Sequence, residues 1–277
     1  NIELLSAYLR YSLVILNRFN WDSQRGKCVE GLELSWFDSF QPKLEFHRHT
    51  ISFDIFCGYY NLAVMQFTRA MKLGEVELDS SRKEAVSRAK IAAFLLREMK
   101  ERFYKEFVEC GFHDTQFPHL DIIENMSLGL IYRCTFDAFK ENEYKIGINK
   151  IAAICGLASK YFYKAYVVAS TYFMTPSGIS DKTKTEILAF TYFSSLYLDV
   201  MTNTRYAKHY GNEMEKDSSN IVLVLAYERK ALRLLEIGLN NQSVQMLFNQ
   251  NPKQKAELIK VRDELKQSLA KNVMRNN

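Results

Sequence analysis

Residues 144–173 read YKIGINKIAAICGLASKYFYKAYVVASTYF and decide the fold, because they place apolar side chains at helical spacing on two faces. The first face consists of Ile151, Ile154, Ala158, Tyr161, Ala165 and Val168. The second face consists of Cys155, Phe162 and Tyr166. A helix that is apolar on more than one side is buried between neighbours. This stretch therefore predicts a long helix that is enclosed by other helices.

Helical patterns extend from this stretch in both directions. They predict helices over residues 2–18, 53–72, 81–108, 119–140, 181–206, 219–239 and from Pro252 onward. The alternation of Leu32, Leu34 and Trp36 predicts a short strand within residues 31–40, and no other strand is expected. Long helices with short connectors predict a mainly α chain, a bundle or a solenoid, in one domain over residues 1–277.

Local signals predict where several of these helices begin and end. Ser81 and Glu84 have the spacing of a capping box at the start of one helix. Gly74 is placed to cap the C-terminus of the helix before it. Ser180 or Asp181 is suited to cap the helix that follows residue 180.

The composition is that of a globular protein. The chain has 277 residues, 47% of them hydrophobic, and no apolar run reaches the roughly 18 residues that a membrane span needs. The net charge is +5, and it is concentrated after position 252, so the rest of the chain is nearly neutral. A nucleic-acid-binding protein normally has a basic face on its folded body, so we expect no nucleic acid as a partner. The five cysteines form no CxxC pair, which favours a reducing cytoplasm.

Sequence motifs for catalysis are missing. The chain has no GxxxxGK[ST] phosphate loop, GxSxG elbow, HExxH metal motif or GxGxxG turn. The best candidate for a zinc site is Cys110 with His113 and His119, with Asp114 adjacent, since these are the side chains that zinc takes as ligands. A solvated helix end is the alternative interpretation, and we favour it. We therefore expect a chain that is not an enzyme and has no cofactor and no metal.

Several short segments follow one another in an order that is known from one protein family. Residues 35–40 (SWFDSF) are similar to a family strand that ends in Trp-x-Asp-x-Phe, and Asp54 with residues 59–63 (YYNLA) is similar to the next helix. Arg18 and Phe19 match the end of a tyrosine-rich helix, and residues 210–214 (YGNEM) match a late segment. Together they resemble the BRO-one domain of the ALIX family of ESCRT-associated endosomal adaptors.

The resemblance implies a boomerang-shaped helical domain with tetratricopeptide-like helical hairpins and a small β element near the N-terminus. It also implies that an amphipathic helix from the C-terminus of an ESCRT-III subunit lies in a concave groove between the helices at 119–140 and 144–173. By position, Lys140 corresponds to a groove lysine of the family, and Ile154 corresponds to a groove leucine. Compared with the family, we expect the chain to lack the region before its first helix and the end of the domain.

Two positions of the implied groove differ from the family. Asp137 stands where the family has a phenylalanine, and Lys150 stands where it has an isoleucine. A register shift of one residue would place Phe136 and Ile151 there instead. Without the shift, charged residues stand at two positions that are apolar anchors in the family. The loss of a central anchor commonly costs about 2 kcal/mol or more of binding free energy.

Three hypotheses for function follow. The first is a non-enzymatic cytoplasmic adaptor, peripheral on endosomes, that binds an ESCRT-III helix during multivesicular-body sorting or membrane remodelling. The second is a scaffold of the same family that has lost ESCRT-III binding and serves a signalling (rhophilin-like) or other trafficking partner; Asp137 and Lys150 favour it. The third is a zinc hydrolase that uses Cys110, His113 and His119.

Weak contact of the basic last helix with anionic membrane is a further expectation, with a binding free energy of about 1 kcal/mol per well-placed lysine.

Overall fold

A computed structural model describes residues 1–19, 33–103, 113–175, 178–214, 216–241, 245 and 252–276. Helix accounts for 83% of the described residues, in eight long helices beside a two-stranded antiparallel sheet. This confirms the mainly α prediction. The chain divides into two compact units: unit 1 is Asn1–Leu128 with Val167–Lys184, and unit 2 is Gly129–Tyr166 with Thr185–Asn277. The boomerang shape and the single BRO-one domain stay predictions.

The long helices of the described ranges are numbered in chain order. They are α1 (Ile2–Phe19), α2 (Ile51–Gly74), α3 (Asp79–Glu98), α4 (Phe117–Phe139), α5 (Ile148–Tyr172), α6 (Asp181–Glu213), α7 (Asn220–Asn240) and α8 (Pro252–Asn276). The strands β1 (Leu34–Phe37) and β2 (Glu45–Arg48) lie between α1 and α2. A π-helical turn (Met99–Phe103) follows α3, while a 3-10 turn (Lys140–Asn142) and a short helix (Glu143–Ile146) follow α4.

Strand β2 is an element that the sequence analysis did not predict. It pairs with β1 so that Ser35 lies opposite His47 and Trp36 opposite Phe46. The side chains of β2 are exposed or half-buried, so the strand lacks the buried alternate positions that mark a strand in a sequence. Trp36 packs on α2, where its ring meets the Tyr60 ring edge-on with centroids 5.9 Å apart.

The core of unit 1 is centred on α2. Thr50 caps this helix by accepting a hydrogen bond from the Phe53 N–H at 3.3 Å, so α2 begins at Ile51, two positions before the expected start. Phe53 and Phe56 are fully buried. Asn61 is exposed on the outer side of α2, so its amide needs no buried hydrogen-bond partner.

Two predicted helix ends are wrong. Helix α3 begins at Asp79 with Leu78 as its N-cap, so Ser81 lies inside the first turn and forms no capping box with Glu84. Glu84 pairs instead with Arg88 one turn later, at 3.1 Å. Helix α2 ends on Gly74 itself, and the residue that follows it has a right-handed conformation, so no left-handed glycine cap is needed there.

Gly147 divides the stretch that was expected to be one helix over residues 144–173. Its φ of 97° lies in the left-handed region, which a residue with a β-carbon rarely adopts. Helix α5 therefore begins at Ile148. Ile151, Cys155 and Phe162 of its two predicted apolar faces are fully buried, whereas Ile154 and Tyr161 are half-buried.

The last three helices follow the sequence prediction closely. The Ser180 hydroxyl accepts a hydrogen bond from the Thr183 N–H at 3.2 Å, which confirms the predicted cap of α6. Helix α6 continues beyond the expected end at 206, because the Tyr210 ring stacks on the Tyr227 ring of α7 at 5.7 Å. Helix α8 begins at Pro252 as predicted and buries Leu258 and Leu265. None of the helices in the described ranges is long and apolar enough to cross a bilayer.

Candidate partner-binding surface

The Trp-x-Asp-x-Phe segment forms a closed polar turn in unit 1. Asp38 is 1% exposed. One of its carboxylate oxygens accepts hydrogen bonds from the N–H groups of Phe40 and Gln41, at 2.8 and 3.0 Å, and the other accepts from the His113 N–H at 2.5 Å. Hydrogen bonds from several backbone N–H groups compensate the free-energy cost of burying a carboxylate. Asp38 therefore fixes the turn after β1 and connects it to His113.

Asp114 makes a second tie between the same two segments. Its Oδ2 accepts hydrogen bonds from the N–H and the hydroxyl of Ser39, at 2.9 and 2.8 Å. Burial raises the pKa of Asp114 above its usual value, while the two hydrogen bonds from Ser39 act in the opposite direction. Asp38 and Asp114 together hold the residues after β1 against the segment that leads into α4.

His119 completes this buried cluster. Its Nε2 lies 3.4 Å from the Tyr60 hydroxyl, and its ring meets the Phe40 ring edge-on at 4.9 Å. Burial lowers the pKa of His119 to about 4, so the imidazole is neutral at pH 7. Three of the family-like residues of unit 1, namely Trp36, Asp38 and Tyr60, are therefore buried residues that maintain the fold.

The zinc hypothesis gains no ligand set from the described residues. Among them, no three His, Cys, Asp or Glu side chains lie close enough to hold a metal ion. His119 and Asp114 are buried in the cluster just described, and Cys110 lies outside the described residues. Of the remaining cysteines, Cys57, Cys134 and Cys155 are buried thiols. Burial raises the pKa of the Cys155 thiol to about 12, so this thiol is protonated at neutral pH.

Two of the residues assigned to the implied groove belong to the core of unit 2. Phe136 is 1% exposed, and the Arg205 guanidinium lies 4.6 Å from its ring centroid. Ile151 is 0% exposed. Neither side chain reaches the surface of unit 2, and the assignment of Phe136 and Ile151 to a groove stays a prediction.

The other four assigned residues lie at or near the surface of unit 2. Asp137 is half-buried and pairs with Lys140, whose Nζ lies 3.2 Å from its Oδ1. Lys150 is exposed at the start of α5, and Ile154 is half-buried one turn later. Asp137 and Lys150 are thus charged residues at or near the surface of unit 2, and the choice between the two registers stays a prediction.

A surface that the sequence analysis missed runs along α5 and includes one residue of α4. We call it the α4–α5 surface and define it by Tyr132, Ile154, Leu157, Tyr161 and Lys164. The Tyr132 and Tyr161 rings stack with centroids 5.6 Å apart and an angle of 5°. The Lys164 ammonium lies 5.5 Å from the Tyr161 ring centroid, and Leu157 is 39% exposed.

The spacing of the α5 members is that of a seam that faces another helix. Lys150, Ile154, Leu157, Tyr161 and Lys164 recur at alternating intervals of four and three residues. This is the period that keeps one row of side chains against a partner helix. The sequence contains this signal, but Ile154 and Tyr161 fit the spacing of a buried face equally well, and apolar spacing alone predicts that they are buried.

The charge of α5 is entirely positive. The helix contains Lys150, Lys160 and Lys164, all exposed, and no Asp or Glu. Exposed lysines beside half-buried apolar side chains favour a partner that is apolar along one face and acidic at its flanks.

Helix α8 presents a second group of exposed lysines. Lys260, Lys266 and Lys271 are exposed, while Leu258 and Leu265 face inward. Helix α8 is thus amphipathic over the residues whose side chains are described.

Comparison with known proteins adds no relative. No protein-family model matches the chain, and no curated protein sequence matches it significantly. The resemblance to the BRO-one family stays a prediction.

Proposed function

We propose that the chain is a non-enzymatic adaptor in ESCRT-linked endosomal sorting or membrane remodelling, which binds an amphipathic helix from the C-terminus of an ESCRT-III subunit on the α4–α5 surface. The observation that carries the proposal is the row formed by Ile154, Leu157 and Tyr161, with Tyr132 stacked beside it. In the cell the adaptor would be cytoplasmic and peripheral on endosomes.

The chemistry of the row fits a helical partner. Helix-binding sites take apolar side chains from one face of the partner, at intervals of three and four residues. Leu157 and Tyr161 offer exposed or half-buried apolar area at matching intervals. Aromatic side chains at an interface commonly contribute most of the binding energy, which makes the Tyr132–Tyr161 pair the expected centre of the contact.

The lysines add selectivity for the charge of the partner. Lys150 and Lys164 stand at the two ends of the row, and both are exposed. Acidic side chains that flank the apolar face of a partner helix would meet them. Such pairs speed association and disfavour basic helices more than they add affinity.

A specific observation favours a second candidate function. Asp137, which stands where the family has an apolar anchor, is paired with Lys140 at 3.2 Å and lies 3.9 Å from Arg133. An anchor position occupied by an ion pair favours a scaffold of the same type that no longer binds ESCRT-III and serves a signalling (rhophilin-like) or other trafficking partner. The same surface would then bind a different helix.

Fluorescence anisotropy of labelled ESCRT-III C-terminal helices tests the proposal. We expect a Kd of roughly micromolar for the wild-type chain, weakened about tenfold or more by Ile154→Asp or Leu157→Asp. Val222→Asp is the matched control, because Val222 is an exposed valine of α7, also in unit 2. We expect this control to change the Kd by less than about twofold.

Two results would overturn the proposal in different ways. Absence of binding for every ESCRT-III helix would favour the second candidate. Binding that Ile154→Asp, Leu157→Asp and Val222→Asp weaken equally would remove the α4–α5 surface as the site.

Weak membrane contact through α8 remains a secondary proposal. Co-sedimentation with phosphatidylserine vesicles tests it, with Lys260→Gln and Lys266→Gln as variants and neutral vesicles as the control. We expect each substitution to weaken binding to these vesicles by about 1 kcal/mol or less.

The zinc hydrolase also stays a prediction, and metal analysis of the purified chain tests it.

A further inference from the structure

A cavity of about 370 Å³ lies in unit 2 between α6, α7 and α8. We call it the Glu228 cavity, after the least exposed charged residue that lines it. Its volume falls within the range of small-molecule sites, about 300–1,000 Å³. Val224 and Leu265 form buried apolar parts of its wall.

Glu228 is a buried carboxylate with neutral partners. It is 3% exposed. Its Oε1 accepts hydrogen bonds from the Ser268 hydroxyl at 2.5 Å and from the Asn272 amide at 3.1 Å, and its Oε2 accepts only a longer one, from the same amide at 3.3 Å. A carboxylate offers about four acceptor positions, so Oε2 retains capacity for a further donor.

The basic residues of the cavity do not neutralise this charge. Within the described ranges, no ion pair joins a lysine or an arginine to Glu228. Lys208 lines the cavity, but its Nζ is bound to Glu143 at 2.6 Å. Lys271 is exposed. A buried carboxylate without a cation is costly, and a bound cation would remove that cost.

The lining determines which kind of cation fits. A hard metal ion needs several oxygen ligands, whereas Ser268 and Asn272 are already turned toward Glu228 as donors. An ammonium group needs one carboxylate and an apolar channel for its carbon chain. Glu228 supplies the first, and Val224 and Leu265 supply the second.

We propose that the Glu228 cavity binds a primary alkylammonium group, with the ammonium on the Glu228 carboxylate and the alkyl chain against Val224 and Leu265. Two sources present this group: a free aliphatic amine, and the lysine side chain of a peptide. The site is separate from the α4–α5 surface, and its test does not depend on binding of an ESCRT-III helix.

Methyl NMR of the full chain, titrated with n-pentylamine, tests the proposal. We expect saturable shifts at the methyl groups of Val224 and Leu265, with a Kd of roughly millimolar. Glu228→Gln keeps the size of the side chain and its acceptor oxygen but removes the charge, and should weaken binding about tenfold or more. Glu236→Gln is the matched control, since Glu236 is an exposed acid of α7 outside the cavity lining, and should change the Kd by less than about twofold.

Neutral and lysine-based probes complete the experiment and do not depend on the variants. Pentan-1-ol has nearly the same shape as n-pentylamine without the charge, and should give no saturable shift with the wild-type chain. Comparison of n-pentylamine with N-acetyl-lysine methylamide distinguishes a free amine from a lysine side chain, because only a cavity that is open to a peptide accepts the second. The proposal is overturned if pentan-1-ol binds as well as the amine, if Glu228→Gln binds the amine unchanged, or if no amine shifts these methyl groups.

Discussion

The polar turn of unit 1 and the α4–α5 surface of unit 2 use their charged side chains in opposite ways. In unit 1, Asp38 and Asp114 are buried, and their oxygens accept hydrogen bonds from Phe40, His113 and Ser39. In unit 2, the lysines of α5 are exposed beside apolar side chains. The comparison teaches that the residues which resemble the BRO-one motif hold a turn in place, whereas the surface suited to a partner carries little of that motif.

The comparison predicts its largest effect for Asp38. In Asp38→Asn an amide nitrogen replaces one carboxylate oxygen, and it cannot accept the hydrogen bonds that backbone N–H groups donate there. We expect the free energy of unfolding to fall by about 3–5 kcal/mol. Urea denaturation followed by circular dichroism measures it. Asp263→Asn, an exposed position on α8, should change stability by less than about 0.5 kcal/mol. Equal losses for the two variants would show that the buried turn has no special role.

Acidification should weaken unit 1 through His119. Its pKa is about 4 in the folded chain, against about 6.5 when unfolded, so the unfolded chain gains the proton first as the pH falls. Stability from this residue is complete above pH 6.5 and is lost progressively down to about pH 4, by about 3 kcal/mol. Burial raises the pKa of Asp114 in the folded chain. Protonation of Asp114 therefore favours the folded state as the pH falls, which is the opposite of the effect of His119.

The variant His119→Gln isolates that contribution. Its free energy of unfolding between pH 4 and 7 should vary by about 3 kcal/mol less than that of the wild type, because glutamine takes up no proton in this range. Identical pH profiles for the two chains would mean that His119 is not held neutral by burial.

Lys150→Ile tests the candidate surface of unit 2. It restores the apolar residue that the resemblance implies at the start of the row on α5, and should tighten binding of an ESCRT-III helix about tenfold, or about 1.4 kcal/mol. The same substitution at Lys266, an exposed lysine of α8, should leave the Kd unchanged. Weaker binding by Lys150→Ile would show that a pair between Lys150 and an acidic side chain of the partner adds more affinity than an apolar contact at this position.

The smallest effect is expected for the Asp137–Lys140 pair. The two side chains are one helical turn apart, and Lys140 is partly exposed, so Lys140→Ala should change the free energy of unfolding by about 0.5 kcal/mol or less. A loss of more than about 2 kcal/mol would assign the pair to the fold and not to the surface.

Much of the helical architecture was predictable from apolar spacing and caps. The two faces of α5, the Ser180 cap and the start of α8 at Pro252 all depend on local sequence. The break at Gly147 and the start of α3 at Asp79 were not predicted, because several positions in each segment satisfy the same local rules.

The candidate surface was harder to predict than the fold. Phe136 and Asp137 are adjacent in sequence, and only packing shows that the first is core and the second reaches the surface. The roles of Tyr132 and Leu157 depend on a neighbouring helix in the same way. Burial of Glu228 with Ser268 and Asn272 requires residues forty or more positions apart to meet, which no local pattern indicates.

Hydrogen–deuterium exchange with and without a saturating ESCRT-III C-terminal helix measures most directly which unit recognises a partner. We predict slower amide exchange in residues 129–139 and 148–166, which carry the α4–α5 surface, and unchanged exchange in residues 33–41 and 113–119. Slower exchange confined to these unit 1 residues, or no change anywhere in the chain, would contradict the assignment of recognition to unit 2.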